Sequence, residues 1–234
     1  MIGKIKKKII GGHRGSPKKA RENTLHSFET AIADGADFIE FDVRKSRDSR
    51  LIVHHDADAG GQTLRNLKLS EIAALKNETG YEIPTLEDTL RVCVNRIMLD
   101  VEIKEPDITE DTVRLLLKYY TPEKFIITSF FDEVIKYLKE AHPQIKRGLL
   151  FDIESDFDLE NRIKKLKPDF LMAHFLTFNS NLRKTCEISG LKCIVWTVND
   201  PDEIKRFLSE DNVAGIISDR PELAVSIYKK VLNR

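Results

Sequence analysis

Eight short apolar runs, each followed by a stretch with helical spacing, recur along the chain, and this alternation admits few folds. The runs cover residues 7–13, 37–44, 97–104, 125–130, 147–151, 170–175, 193–198 and 215–219. Between them, apolar residues repeat every three or four positions: Leu25, Phe28 and Ile32; Val113, Leu116, Leu117 and Tyr120; Leu159, Ile163 and Leu166; Leu223, Ile227 and Val231. Each set lays one apolar helix face on a sheet. Eight such units in 234 residues fit an α/β fold, a (β/α)8 TIM barrel, as a single domain over residues 1–234. A doubly wound sheet would carry GxGxxG after its first strand. The chain instead reads Gly11-Gly-His-Arg-Gly-Ser-Pro17, with proline where a helix should start. Residues 51–56 form a ninth extended piece beside the second strand. Residues 58–80, polar and then helix-like, are expected to be a short capping insertion after the second strand, at the barrel mouth.

Charge and composition narrow the function. There are 38 Lys+Arg against 38 Asp+Glu, so no net charge draws the chain to nucleic acid or an anionic membrane. No segment approaches ~18 consecutive apolar residues, and the basic start has only Ile9 and Ile10 where a signal peptide's apolar run would lie. Integral membrane association is therefore not expected. Cys93, Cys186 and Cys193 make an odd count without a CxxC pair, which argues against zinc and against a disulfide framework. The reading is a soluble cytoplasmic protein, of open oligomeric state.

Alternation then points to a charged barrel interior. In Phe38-Ile-Glu-Phe-Asp-Val-Arg44, residues Ile39, Phe41 and Val43 face the helices while Glu40, Asp42 and Arg44 face inward. In Leu99-Asp-Val-Glu-Ile-Lys104, Asp100, Glu102 and Lys104 face inward in the same way. Buried unpaired carboxylates are costly, because desolvation and mutual repulsion oppose ionisation. Two arrangements relieve that cost: ion pairs with Arg44 and Lys104, or a divalent cation held by the acids. All-oxygen ligands suit Mg²⁺ or Ca²⁺. His13 ends the first strand, and His54 and His55 lie near the end of residues 51–56, at the rim where barrel enzymes place their active sites. Imidazoles near a cation supply a general acid and base near neutral pH. Alternation does not choose between His54 and His55.

Several motifs in order carry a resemblance: His13-Arg-Gly15, Glu22-Asn-Thr24, Gly35-Ala-Asp37, Glu40-Phe-Asp42, His55-Asp56, Ile83-Pro-Thr-Leu-Glu87, Glu102-Ile-Lys104, Trp196-Thr-Val-Asn199 and Gly215-Ile-Ile-Ser-Asp-Arg-Pro221. Together they resemble the glycerophosphodiester phosphodiesterase family over nearly the whole chain. The resemblance implies a (β/α)8 barrel that hydrolyses glycerophosphodiesters to sn-glycerol 3-phosphate and an alcohol with a divalent metal, Mg²⁺ or Ca²⁺. It implies that Glu40, Asp42 and Glu102 hold the metal, and that His13 and His55 form the acid/base pair, choosing His55 over His54. It further implies that Arg14 and Lys104 contact phosphate, that Trp196 lines the pocket or packs the rim, and that Asp56 orients the rim. In similar enzymes the glycerol 2-hydroxyl attacks to give a cyclic phosphate; direct attack by water is the alternative.

The chain departs from the family pattern in three places. Arg21 replaces a proline before Glu22, Ser46-Arg-Asp-Ser49 lacks a turn glycine, and Thr63-Leu-Arg65 is only a fragment of a longer loop motif. Other readings are a hydrolase of lysophospholipids, a non-catalytic barrel that binds a phosphorylated ligand, and a sugar-phosphate isomerase. The first would need an apolar rim, which residues 58–65 do not offer, although Phe130, Phe131, Phe175 and Phe178 lie near strand ends. The second would need a missing catalytic residue, and the third a glycine-rich phosphate loop.

Overall fold

Inward and outward positions on the second strand already separate charge from hydrocarbon, and the whole sheet is built on that alternation. The computed structural model describes residues 8–155 and 158–232, with side chains through residue 230. The strands are β1 (Ile9–His13), β2 (Phe38–Lys45), β3 (Leu51–Val53), β4 (Asp58–Ala59), β5 (Gln62–Thr63), β6 (Met98–Ile103), β7 (Phe125–Ser129), β8 (Lys146–Phe151), β9 (Phe170–His174), β10 (Lys192–Trp196) and β11 (Val213–Ser218). The helices are α1 (Leu25–Ala33), α2 (Leu69–Ala74), α3 (Lys76–Thr79), α4 (Leu86–Cys93), α5 (Thr109–Tyr119), α6 (Asp132–Ala141), α7 (Leu159–Leu166), α8 (Ser180–Ser189), α9 (Pro201–Ser209) and α10 (Pro221–Leu232).

Eight parallel strands run β1-β2-β6-β7-β8-β9-β10-β11 and close through β1, which pairs with both β2 and β11. This is the expected (β/α)8 barrel. β3 lies antiparallel on β2, outside the closed ring, in the register Val43 to Val53. All eight expected strands form; residue 7, the expected start of the first, lies outside the described residues.

Outward residues bury against the helices. Ile39, Phe41, Val43, Leu99, Val101 and Ile103 pack with Phe28 of α1 and Leu86 and Leu90 of α4. On the opposite side, Leu171, Val195 and Ile216 pack with Leu182, Ile204 and Phe207. Each such side chain contributes about 1.5–3 kcal/mol of burial, which fixes the strand faces. Phe38, Leu150, Met172, Ile194, Ala214 and Ile217 form an apolar cluster inside the barrel. Because Phe38 shares its face with Glu40 and Asp42, this cluster floors a charged layer that opens toward the carboxyl rim. One expectation fails: Leu117 is exposed, and α5 seats Val113 and Leu116 instead. Val113, Leu116 and Tyr120 set the covered face, and Leu117, one position round from Leu116, falls beyond its edge. Val231 lies beyond the described side chains.

The insertion is a β4–β5 hairpin followed by α2 and α3, with its own core of Ile52, Ala59, Leu64, Ile72, Leu75 and Ile83. Arg65 fastens it to the loop after β6 through ion pairs with Glu105 and Asp107. It therefore sits at the carboxyl rim, as expected.

At the departure from the family's turn, Ser49 adopts the left-handed conformation without glycine, at φ 61°. Hydrogen bonds hold it there: Ser49 N donates to Ser46 O at 3.0 Å, and Ser46 Oγ donates to Asp48 Oδ1 at 2.7 Å. A left-handed non-glycine residue costs roughly 1–2 kcal/mol, part of which glycine's greater freedom in the unfolded chain would offset. Ser49→Gly should therefore stabilise the protein by up to about 1 kcal/mol and raise Tm by roughly 2–4 °C in a thermal melt. A lower Tm would show that the serine is not strained there.

Candidate active site

The acids come from two adjacent strands in one register, Glu40 opposite Asp100 and Asp42 opposite Glu102. All four are buried. Carboxylate oxygens of Glu40, Asp42 and Glu102 lie within 4.8 Å of one another. Among the described residues this is the one group of three or more potential metal ligands that converges so tightly.

Two cations face them. Lys104 Nζ lies 2.7 Å from Glu102 Oε1 and 3.4 Å from Asp42 Oδ1. Arg14 Nε lies 3.4 Å from Asp42 Oδ2, and the Arg14 amide donates to Glu40 Oε2 at 2.9 Å. Asn23 Nδ2 donates to Asp42 Oδ2 at 2.8 Å, and Thr128 Oγ1 donates to Asp100 Oδ1 at 2.7 Å. The ion-pairing alternative is thus half right: Lys104 pairs with the acids, but Arg44 does not. Arg44 instead donates twice to the carbonyl of His55, at 2.8 and 2.6 Å, and pairs with Glu105. It lies at the end of β2, beyond the acid layer, where the rim loop is nearer than Asp42.

Two cations do not balance four buried carboxyls, and their acidities divide accordingly. Burial pushes Glu40 well above the usual range, and the neighbouring charges of Asp42 and Glu102 add to it. Burial also raises Glu102 to about 7, against the pull of Lys104, and raises Asp100 to about 8. Burial opposes ionisation of Asp42 too, but the Lys104 and Arg14 charges outweigh it and hold this carboxyl at about 2. Asp42 Oδ1 and Arg14 Nε are buried without hydrogen-bond partners. Buried groups of this kind need an explanation, and a bound cation beside an anion supplies one for both.

Local backbone geometry places Arg14. Its φ is 53°, and its carbonyl accepts from Asn23 N at 3.0 Å and from Ser27 Oγ at 3.0 Å, which turns the chain back toward β2. Gly15 follows at φ 94°; a Cβ there would stand 2.3 Å from Ser27 Oγ and 2.7 Å from Ser27 backbone atoms. Only glycine fits. Arg21, in place of the proline, leaves this arrangement intact: its guanidinium stacks over Tyr81 at 4.4 Å and its carbonyl accepts from Thr24 Oγ1.

His13, Arg14, Glu40, His55, Glu102, Lys104 and Trp196 line one cavity of about 260 Å³, open at the carboxyl rim. His13 Nδ1 is 2.7 Å from Asp219 Oδ1, and Asn199 Nδ2 donates to Asp219 Oδ2 at 2.7 Å. His55 Nδ1 is 2.7 Å from Asp56 Oδ1. A carboxylate only accepts, so in each ring Nδ1 carries the proton and Nε2 is left for exchange. Burial lowers the His55 pKa, with Asp42 opposing, so its ring is neutral at neutral pH. The structure separates the adjacent histidines: His54 is buried, with Nδ1 3.0 Å from the Asp56 carbonyl and Nε2 3.0 Å from Tyr81 Oη. Trp196 is both cavity wall and rim packing, since its Nε1 donates to Met172 O while its ring meets Phe130 edge-on.

Sequence reasoning assigned no role to Asp219, Asn199 or Asn23, although all three lie in the quoted motifs. The partner of His13 is 206 positions away, a distance that no local pattern reveals. Phe130 and Asp152 also line the cavity.

Known proteins resemble this chain in sequence and in fold. A family model for the glycerophosphoryl diester phosphodiesterase family matches residues 13–223. The glycerophosphodiester phosphodiesterase of Caldanaerobacter subterraneus subsp. tengcongensis is 29% identical over 244 positions, covering 96% of this chain and 99% of that protein. The crystal structure of a glycerophosphodiester phosphodiesterase from Thermotoga maritima superposes with a TM-score of 0.81 at 28% identity, covering 94% of this chain and 98% of that one. A phosphodiesterase from Oleispira antarctica, solved with its product sn-glycerol-3-phosphate, shares the fold with a TM-score of 0.84 at 22% identity, covering 94% and 96% of the two chains. With a match from His13 to Leu223 that takes in the whole cavity, the chain belongs to the glycerophosphoryl diester phosphodiesterase family.

Proposed function

We propose that this chain hydrolyses small glycerophosphodiesters to sn-glycerol 3-phosphate and an alcohol, with Glu40, Asp42 and Glu102 holding a divalent cation and His13 and His55 moving the protons. The observation that carries this reading is the clustering of three carboxylates within 4.8 Å of one another, two of which, Glu40 and Glu102, line one cavity with two carboxylate-tethered histidines and two fixed cations. The donor set is all oxygen, which suits Mg²⁺ and Ca²⁺ alike. Such a cation supplies positive charge to the phosphoryl oxygens and neutralises charge that builds in the transition state.

This chain's own side chains do the rest. Arg14 and Lys104, both held more firmly protonated by the neighbouring acids, bind the remaining phosphoryl oxygens. His55, half-buried and kept neutral by its partial desolvation, takes the proton of the attacking hydroxyl at Nε2. His13, its Nδ1–H tied to Asp219, acts as the acid in the form that also carries a proton on Nε2, and delivers that proton to the departing alkoxide. Arg44 grips the His55 carbonyl and Asp56 its ring, which fixes the base relative to the acid layer. Trp196 walls the cavity opposite the acids. We place the protein in a reducing compartment such as the cytoplasm. Three buried cysteines without a disulfide support this, Cys186 and Cys193 keeping their sulfurs 3.4 Å apart.

Release of sn-glycerol 3-phosphate from glycerophosphocholine should need metal and stop with EDTA. His13→Ala and His55→Ala should each lower kcat by about 10²–10⁴-fold with the fold retained by circular dichroism. Asp219→Asn should lower kcat by about 10-fold or more at unchanged KM. Full turnover in either histidine variant would remove the acid/base assignment.

The raised acids also predict how metal affects stability. A carboxyl whose folded pKa lies above its unfolded value favours the folded state below the unfolded pKa, and that contribution is lost as pH rises through the folded pKa. Glu102 does so up to about 7, so the metal-free protein should weaken toward neutral pH, and a cation should reverse the loss. Millimolar Mg²⁺ or Ca²⁺ should therefore raise Tm more at about pH 8 than at about pH 5.5, where protons compete for the ligands. An equal shift at both, or none, would contradict a site at these carboxylates.

A further inference from the structure

His54 is buried next to the proposed base but outside the cavity wall, and both of its ring nitrogens are paired. A carbonyl only accepts, so the 3.0 Å contact with the Asp56 carbonyl puts the His54 proton on Nδ1. Nε2 is then an acceptor, and the Tyr81 hydroxyl donates to it at 3.0 Å. The two rings are parallel to within 1°, with centroids 6.2 Å apart. Arg21 ends the series: its guanidinium lies over the Tyr81 ring at 4.4 Å, and its Nη2 donates to the Tyr81 hydroxyl at 3.4 Å. Three side chains thus form a strut that joins the loop after β1 and the capping insertion to the turn that carries His55.

That turn depends on its main chain. The Asp56 side chain is 72% exposed, so packing does not fix the carboxylate that meets the His55 ring. Its position follows from the Asp56 backbone, whose carbonyl His54 holds. His54 is itself anchored on two sides: its amide donates to the Asp42 carbonyl on β2 at 3.0 Å, and Tyr81 packs against the core of the insertion. The bracket therefore runs from residue 54 to residue 56 with His55 between its ends. A buried imidazole is costly unless its nitrogens are paired, and an apolar side chain would fill the same place without that demand. A fully paired polar network fixes one geometry, which packing alone does not require.

We propose that His54 is a positioning residue for His55: by holding the Asp56 carbonyl it sets the turn so that the Asp56 carboxylate meets the His55 Nδ1–H and leaves Nε2 to the cavity, with Tyr81 and Arg21 as its outer supports. This rests on the reading of His55 as the base and extends it. His54 touches no substrate and acts only through its neighbour. The capping insertion then contributes to catalysis through Tyr81, beyond covering the barrel mouth. Arg14 and Lys104 are held by other contacts, so loss of the strut acts on the rate of the chemical step rather than on substrate binding.

The test uses the metal-loaded full chain and glycerophosphocholine. His54→Leu should lower kcat by about 10–100-fold with KM within about twofold, the scale on which a displaced catalytic group loses rate. His54→Asn, whose amide nitrogen stands near the place of Nδ1 and donates to the Asp56 carbonyl, should recover most of that loss. His54→Gln, whose amide reaches the place of Nε2 instead, should not. Tyr81→Phe keeps the ring and the Arg21 stack, should lower kcat by a smaller factor, and carries the test if His54→Leu does not fold. In a double-mutant cycle neither change should lower kcat further once His55 is alanine. In two-bond ¹H–¹⁵N imidazole spectra, His55 should be the Nδ1–H tautomer in the natural protein and lose that preference in His54→Leu. Unchanged kcat in folded His54→Leu, or in Tyr81→Phe if the former does not fold, would overturn the proposal. So would rescue by glutamine equal to that by asparagine, an undisturbed His55 tautomer, or the same loss of rate with and without His55, which a purely structural role gives. His55→Ala alone reports on the acid/base reading separately, since full turnover there would remove the base and not the strut.

Discussion

Arg14 and Lys104 set two fixed positive charges against four carboxyl groups buried within the barrel, and this imbalance organises the site. The pair holds Asp42 ionised at about 2, while burial leaves Glu40, Glu102 and Asp100 with raised pKa values and a ready affinity for protons or a cation. A barrel interior is normally filled by layers of branched apolar side chains. Here an apolar floor that includes Phe38 and Met172 carries that task, and the layer nearer the carboxyl rim is given over to charge.

Keeping that layer in place draws on distant parts of the chain. The left-handed Arg14 and the glycine after it fold the first loop back, so that its amide reaches Glu40 and its guanidinium reaches Asp42. Asn23 on the same loop gives Asp42 a neutral donor. The two histidines are fixed differently. His13 leans on a half-buried Asp219 that Asn199 braces from the neighbouring strand end, whereas His55 has an exposed Asp56 on its ring and Arg44 on its carbonyl. The capping insertion takes part through Arg65, which pairs with Glu105, the same carboxylate that Arg44 uses. A rim element outside the barrel is thereby tied to the backbone of the proposed base.

Much of this was legible in the sequence, because period-two alternation is a local property. The inward placement of Glu40, Asp42 and Glu102 follows from their neighbours Ile39, Phe41, Val43, Val101 and Ile103, which must face the helices. What stayed hidden was long-range or non-periodic. Asp219 meets His13 only because β11 closes the barrel against β1, and nothing near either residue announces it. Parity sent Arg44 inward, but its long side chain reaches sideways along the rim to His55. His54 and His55 could not be told apart by parity; the contacts of His54 with Asp56 and Tyr81 separate them. Leu117 satisfied helical spacing and still faces solvent, because a spacing match does not say how wide the covered stripe is.

The cluster of Glu40, Asp42 and Glu102 between two fixed cations is the feature on which everything else depends, and locating an ion in it is the most direct measurement. Crystals soaked in Mn²⁺, a hard divalent cation visible by anomalous scattering, should show a strong peak within about 2.0–2.6 Å of oxygens from all three carboxylates. That peak should vanish in Glu102→Gln. A peak elsewhere in the barrel, or none in well-ordered crystals at about pH 8, would mean that the acids are balanced by protons and by Lys104 and Arg14 alone, and the metal site would have to be abandoned.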